Sequence, residues 1–168
     1  MNSDFSLLTL GAVAGTTLAV IGIVSLVLCI LLIIANWKLF KKAGEPGWKS
    51  IIPIYNFFTE CKFVFGESGG LKYFIAFIAA SFASGIVSSV TGTDASNVPG
   101  AGPAILMLVI AVFLLILEII FLVELSRSFG YGIGFALGLI FLGVIFMLIL
   151  GFGESQYVGS REDRALQS

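Results

Sequence analysis

Histidine is absent from the 168-residue chain, and charged residues make up only 11% of it. The two cysteines, Cys29 and Cys61, stand far apart and form no spaced set. Neither a Cys/His zinc site nor a disulfide framework is therefore indicated, and we expect no metal and no cofactor. Without histidine, hydrolysis would need serine with lysine or a pair of carboxylates, and no such arrangement stands out. The sequence does not decide whether the chain is an enzyme, but it favours a protein that is not.

Apolar residues dominate what is present. Hydrophobic residues make up 58% of the chain, with sixteen phenylalanines and twenty glycines, and the mean hydropathy is +1.10. Soluble domains are roughly half apolar and a quarter charged. The composition therefore predicts a membrane protein. Nucleic-acid binding is not expected, because the lysines adjoin apolar segments where lipid phosphate is the nearest counter-charge.

Four segments are apolar over the roughly 20 residues that a helix needs to cross a bilayer. We predict an all-α integral membrane protein, a four-transmembrane-helix bundle made of a single membrane domain at residues 1–159, with a short polar tail at 160–168. The predicted spans cover approximately residues 7–35, 73–90, 104–126 and 132–152.

The distribution of lysine predicts the orientation of the spans. Because cytoplasmic loops carry the excess of basic residues, the first loop is expected in the cytoplasm and the N-terminus outside a cytoplasmic membrane. The N-terminal "MNSDFS" has no basic residue and does not resemble a signal peptide. Six lysines lie between the first two predicted spans: Lys38, Lys41, Lys42, Lys49, Lys62 and Lys72.

Four spans would place the loop "TGTDASNVPGAGP" and the C-terminal tail outside. Arg161 and Arg164 of the tail would then contradict the positive-inside rule. A re-entrant fourth segment would instead leave the tail in the cytoplasm.

The segment at about residues 48–62 predicts a short amphipathic helix. Its apolar residues recur at helical spacing, Ser50 can cap the helix, and Pro53 suits its first turn. Too short to span, the helix is expected to lie on the cytoplasmic leaflet against anionic lipid. The alternative is a gate or a docking surface for a partner, formed by Trp48, Lys49, Tyr55 and Asn56.

Several motifs resemble a family of small, uncharacterised bacterial polytopic membrane proteins of unknown function. The motifs are "NWKLFKKAGEPGWKSIIPIYN", "ELSRSFGYGIGFALGLIFL" and "LGFGESQYVG", and together they extend from about Ala35 to Gly159. Some relatives are described as related to signal peptidase I. Such a peptidase needs a Ser/Lys pair in an extracytoplasmic domain, for which this chain has no room. The resemblance therefore implies the architecture and leaves the activity open.

Glu118 interrupts the third predicted span eight residues before Ser126, about 12 Å from that helix end. An ionised carboxylate at such a depth costs on the order of 3 kcal/mol. It should therefore be paired, protonated or next to water. We interpret Glu118, Lys72 and Asn36 as a candidate intramembrane polar site, with Lys62 and Tyr73 as further partners. The site would carry an ion or a proton, or it would only fix the packing of the helices.

Glu124 and Arg127 are three residues apart and are expected to pair on the helix surface where the third span ends. Gly130 is the expected stop signal.

Small residues at helical spacing mark two other spans, and such faces let helices approach closely, within a bundle or between copies. The predicted helix-packing residues are Ser81, Ser84, Gly85, Ser88, Gly134 and Gly138.

Three functions are consistent with these features. The leading hypothesis is a membrane-embedded accessory or scaffold subunit that binds another membrane protein or forms a homo-oligomer. The second is a small oligomeric channel or ion carrier with Glu118 in the conducting or gating region. The third is an intramembrane enzyme, which would need a Ser/Lys or carboxylate pair facing one water-filled cavity.

Overall fold

The structure is a computed structural model that describes the backbone of residues 2–91 and 101–167 and the side chains of residues 15–89 and 102–167. The described chain is all-helical, as predicted, with no strand in these ranges. Most of the predicted outer loop, at 92–100, lies outside the described residues.

Seven α-helices and one 3-10 helix follow one another in the described chain. They are α1 (Asn2–Lys42), the 3-10 helix (Gly47–Ser50), α2 (Pro53–Phe65), α3 (Glu67–Thr91), α4 (Ala101–Ser128), α5 (Ile133–Phe141), α6 (Gly143–Phe152) and α7 (Arg161–Leu166). Three of them are long and apolar enough to cross a membrane, at Gly15–Lys42, Glu67–Ser89 and Gly102–Ser128. By their length and composition, these three helices indicate a membrane protein, as the sequence predicts.

The fourth predicted span, 132–152, is divided into α5 and α6 at Leu142, whose backbone (φ −128°, ψ 43°) departs from helical geometry. The two helices fold back on each other, since the rings of Phe135 and Phe146 lie 4.9 Å apart. Both open ends of this hairpin lie where α1 and α4 finish. Ser126 Oγ donates to the carbonyl of Gly132 before α5, and Lys42 Nζ donates to the carbonyl of Gly153 after α6.

The core of the molecule lies at the end where α1 and α4 finish and α3 begins, which we call the basic end. Phenylalanines connect the elements there: Phe63 of α2 contacts Phe40 of α1 and Phe129 after α4. Residues 15–30 of α1 are exposed throughout, so this stretch of α1 has no comparable core. The fully buried large side chains include Leu39, Phe40, Val64, Leu125 and Leu150.

The amphipathic segment is two elements rather than the single helix predicted at 48–62. The break falls at Ile52 (ψ 110°), because the residue before a proline is disfavoured in the helical region, and Pro53 then occupies the first turn of α2 as predicted. Ser50 does not cap α2. Its hydroxyl donates to the carbonyl of Gly47 within the 3-10 helix.

Candidate functional site

Glu118 lies on an exposed face of α4. Among the described residues, no hydrogen bond or ion pair joins its carboxylate to Lys72 or Asn36. Lys72 is exposed on α3, and Asn36 lies on α1, which packs against α6 and the 3-10 helix. Within one copy of the chain, the described contacts therefore do not link the three residues of the predicted polar site, which stays a prediction. Next to Glu118 in sequence, a hydrogen bond joins α3 to α4: the Tyr73 hydroxyl donates to the carbonyl of Leu117 at 2.6 Å.

Two asparagines have a buried amide oxygen that accepts no hydrogen bond from the described residues: Asn36 on α1 and Asn56 on α2. A buried unpaired acceptor costs about 1–3 kcal/mol. The sequence predicts Asn56 as part of a docking surface for a partner, but in the structure its amide oxygen is buried away from solvent.

Trp48, Lys49 and Tyr55 form what we call the aromatic surface. The rings of Trp48 and Tyr55 stack at 5.9 Å and 14°. Lys49 Nζ lies 2.6 Å from Glu45 Oε2 and 5.4 Å from the Tyr55 ring centroid. The hydrogen bond that Lys49 donates to Glu45 holds the pKa of Lys49 above its ordinary value. Three isoleucines beside these residues are exposed as well: Ile51, Ile52 and Ile54.

The predicted small-residue faces are in two different environments. Ser88 Oγ lies 3.9 Å from Met107 Sδ, so this part of α3 faces α4. Gly138 packs against the ring of Phe146 inside the hairpin. Gly85 and Gly134 have open space around them. The hydroxyls of Ser81 and Ser84 donate to carbonyls of their own helix.

Glu124 is the buried carboxylate at the basic end, with 7% of the residue exposed. It pairs with Arg127 at 3.3 Å, as predicted, and also with Arg164 of α7 at 2.8 Å. Sequence reasoning missed the second pair, because spacing rules identify only partners within one or two turns of the same helix.

The C-terminal tail, residues 153–167, is held against the basic end by bonds to three other elements. Val158 N–H donates to the carbonyl of Ser128 at 2.7 Å, and Tyr157 Oη donates to the carbonyl of Phe63 at 2.6 Å. Burial, with Asp163 nearby, raises the pKa of Tyr157 to about 12. Lys42 Nζ bonds the carbonyl of Leu150 and the hydroxyl of Ser155 as well as Gly153. The tail therefore lies at the same end of the molecule as the lysine-rich loop.

Reactive groups are few in this arrangement. Cys61 is fully buried, and burial raises the pKa of its thiol to about 12, which keeps it in the unreactive protonated form. Among the residues whose side chains the structure describes, 15–89 and 102–167, no group of three or more His, Cys, Asp or Glu could hold a metal ion.

Glu60 of α2 gives a pH-dependent prediction. Part of its side chain is exposed, but burial of the carboxyl raises its pKa from the ordinary 4.5 to about 7. The unfolded chain therefore releases this proton at a lower pH than the folded chain does. We expect the thermal unfolding midpoint in detergent to decrease as the pH rises from 4.5 to 7. Glu60→Gln should make this decrease smaller. Glu154→Gln, at an exposed site, serves as control. If the unfolding midpoint of Glu60→Gln depended on pH as strongly as that of the wild type, Glu60 would not be the group responsible.

Comparison with known proteins gives one match. Residues 48–160 match the family model described as Family of unknown function (DUF5684). No curated protein and no solved structure matches the chain. The matched region includes the aromatic surface, α2 to α6 and the first part of the tail. Because this match covers more than half of the chain, the protein belongs to DUF5684, a family of unknown function.

Proposed function

We propose that this protein is a membrane-embedded accessory or scaffold subunit, which associates with another membrane protein or with further copies of itself through the outer face of α4. One observation carries the proposal: Glu118 is exposed within a candidate membrane span. It lies about 15 Å from the end of α4 at roughly 1.5 Å per residue. A carboxylate facing lipid at such a depth costs on the order of 3 kcal/mol. A partner helix that packs over Glu118 and donates a hydrogen bond to its carboxylate would remove much of that cost.

The distribution of packing supports the same proposal. The core lies at the basic end, and residues 15–30 of α1 are exposed. This stretch includes Gly15 and Gly22, which have open space around them. Glycines allow close approach between membrane helices, and they offer little contact to lipid. A protein neighbour would give such faces the contacts that one copy of the chain lacks.

The topology we propose has three spans and a re-entrant hairpin formed by α5 and α6, with the N-terminus outside the cytoplasmic membrane. It is supported by hydrogen bonds that join the tail to the ends of α1 and α4 and to α2: Lys42 with Gly153, Val158 with Ser128, and Tyr157 with Phe63. All nine lysines and arginines then belong to the basic end, where the positive-inside rule favours the cytoplasm. The conflict that four spans create for Arg161 and Arg164 does not arise.

We further propose that the aromatic surface lies at the headgroup level of the cytoplasmic leaflet. Tryptophan and tyrosine prefer this level, and exposed isoleucines beside them can enter the acyl boundary. Lys49 would then face anionic lipid.

A small oligomeric channel or ion carrier is the second candidate, because the same exposed Glu118 would line a path between copies. An intramembrane enzyme is not favoured. Lys42 Nζ donates to Ser155 Oγ at 2.9 Å, but both groups also donate to the carbonyl of Leu150, so this Ser/Lys contact holds the tail in place. The bacterial origin of the family and the relation of some members to signal peptidase I stay predictions from the sequence.

Photocrosslinking in the native membrane tests the leading proposal. A photoreactive phenylalanine analogue at Leu115, which is exposed one turn from Glu118, is expected to form adducts with protein. The same probe at exposed Ile116, about 160° around the helix from Glu118, is expected to react mainly with lipid. Replacing Glu118 with leucine should lower the yield of the Leu115 adduct about three- to thirtyfold, the range given by an interhelical hydrogen bond.

Two results would contradict the accessory-subunit proposal. One is lipid adducts alone at Leu115, with no effect of Glu118→Leu. The other is ion flux through liposomes containing only this protein that is lost in Glu118→Gln and retained in Lys49→Ala, which would favour the channel.

A further inference from the structure

A groove of about 530 Å³ opens between the first turns of α3 and the C-terminal half of α4, with α7 as its third wall. One side is apolar and the other polar. The apolar side belongs to candidate spans, and it includes Tyr73 of α3 with Leu117 and Ile120 of α4. The polar side is formed by Ser68, Lys72, Arg161 and Glu162.

The two cations of this groove differ from the other basic residues of the chain. Lys72 and Arg161 are exposed, and within the described part of the protein neither has an ion pair, a hydrogen bond or an aromatic ring as partner. Each of the other seven has one. Those seven are Lys38 over Phe152, Lys41 over Trp37, Lys42 on the Leu150 and Gly153 carbonyls, Lys49 with Glu45, Lys62 with Glu67, and Arg127 and Arg164 with Glu124.

Glu162 does not neutralise the groove. It is a single carboxylate against two cations, and it accepts hydrogen bonds from the Ser68 hydroxyl at 3.3 and 3.5 Å. A positive charge therefore remains at the polar side.

We propose that this groove binds one glycerophospholipid with an anionic headgroup. The phosphate lies between Lys72 and Arg161, and an acyl chain runs along Leu117 and Ile120. Charge complementarity selects this occupant: two unpaired cations, one of them an arginine with a fork suited to phosphate, stand at the end of an apolar groove. Basic pockets between membrane helices on the cytoplasmic side are suited to anionic headgroups. The proposal does not depend on the identity of a protein partner.

The C-terminal tail completes this site. Arg161 is the first residue of α7, and α7 is fixed by the pair between Arg164 and Glu124 and by the capping box of Ser160 with Asp163. The hydrogen bonds from Ser160 hold the pKa of Asp163 below its ordinary value, so the capping carboxylate stays ionised near neutral pH. The tail thereby holds Arg161 at the same groove as Lys72, 89 positions earlier in the chain.

Native mass spectrometry of the full-length protein in detergent micelles tests this assignment. Phosphatidylglycerol and phosphatidylcholine with identical acyl chains are titrated separately. We expect one phosphatidylglycerol per chain to be retained in preference to phosphatidylcholine. Lys72→Ala with Arg161→Ala should weaken phosphatidylglycerol binding about 25-fold, at roughly fivefold for each cation near lipid phosphate. The matched control, Lys38→Ala with Lys41→Ala, removes two cations from the same end and should change binding less than about twofold.

A second variant keeps the test decisive if the double alanine variant is unstable. Glu162→Gln removes the one acid of the groove and should tighten phosphatidylglycerol binding about two- to fivefold. If the two double variants lost the same affinity for phosphatidylglycerol, general charge attraction would explain the binding and the proposed site would be wrong. Equal retention of the two lipids, or unchanged or weaker binding in Glu162→Gln, would overturn it as well.

Discussion

Replacing Gly151 or Gly70 with alanine is expected to destabilise the folded protein by about 1–3 kcal/mol, the usual cost of overpacking a close contact. A methyl group at Gly151 of α6 would lie 2.7 Å from the backbone of Ala35 in α1. At Gly70 of α3 it would lie 2.5 Å from the carbonyl oxygen of Cys61 in α2. Backbone atoms cannot move aside as the end of a flexible side chain can, so whole helices must separate.

Gly134→Ala is the matched control, because Gly134 is also helical but has no atom within 4 Å of the added methyl. Alanine is favoured over glycine in a helix by about 0.5–1 kcal/mol, so this variant should be slightly more stable than the wild type. The measurement is the unfolding midpoint in mixed micelles. A Gly151→Ala variant at least as stable as the wild type would show that α1 and α6 do not approach as described.

Glu124→Gln is expected to cost about 1.5–3 kcal/mol, the range for a hydrogen bond to a charged group. The buried carboxylate accepts from two arginines, so the neutral amide leaves both guanidinium groups less well paired. Because Arg164 belongs to α7, the tail should detach more often, and trypsin should cleave the chain faster after Arg161 and Arg164. Glu154→Gln removes an exposed acid at the start of the tail, outside these ion pairs, and should leave the cleavage rate unchanged.

A double-mutant cycle separates the two pairs of Glu124. Coupling with Arg164 is expected to exceed coupling with Arg127, whose side chain is 46% exposed and whose pair is a surface contact of about 0.3–0.5 kcal/mol. Equal coupling energies, or none with Arg164, would contradict the proposed anchoring of the tail.

The long helices could be predicted because their signal is local. Each is an apolar run longer than about 20 residues, and Gly130 (φ 77°) follows the end of α4 as expected. The break at Leu142 could not be predicted in the same way. No proline or charged residue interrupts the apolar run around it, and the contacts that favour the hairpin come from distant parts of the chain, such as Ala35 against Gly151.

For the candidate sites as well, contacts between residues near in sequence could be predicted and contacts between distant residues could not. The pair of Glu124 with Arg127 follows from helical spacing, whereas the pair with Arg164 spans forty positions and depends on how the tail returns. The groove between Lys72 and Arg161 likewise needs the tail at the basic end. One sequence signal pointed to that return, since two arginines in a tail outside the membrane would violate the positive-inside rule.

The location of the tail is therefore the claim on which the topology and the lipid site both depend. Labelling of introduced cysteines in intact cells with a membrane-impermeant maleimide measures it directly, in a chain with Cys29→Ser. Cys61 is buried and unreactive, and it can stay. We predict that Lys41→Cys and Gln167→Cys are both protected until the membrane is permeabilised, whereas Ser96→Cys in the predicted outer loop is labelled at once. Labelling of Gln167→Cys in intact cells, with Lys41→Cys still protected, would contradict the account.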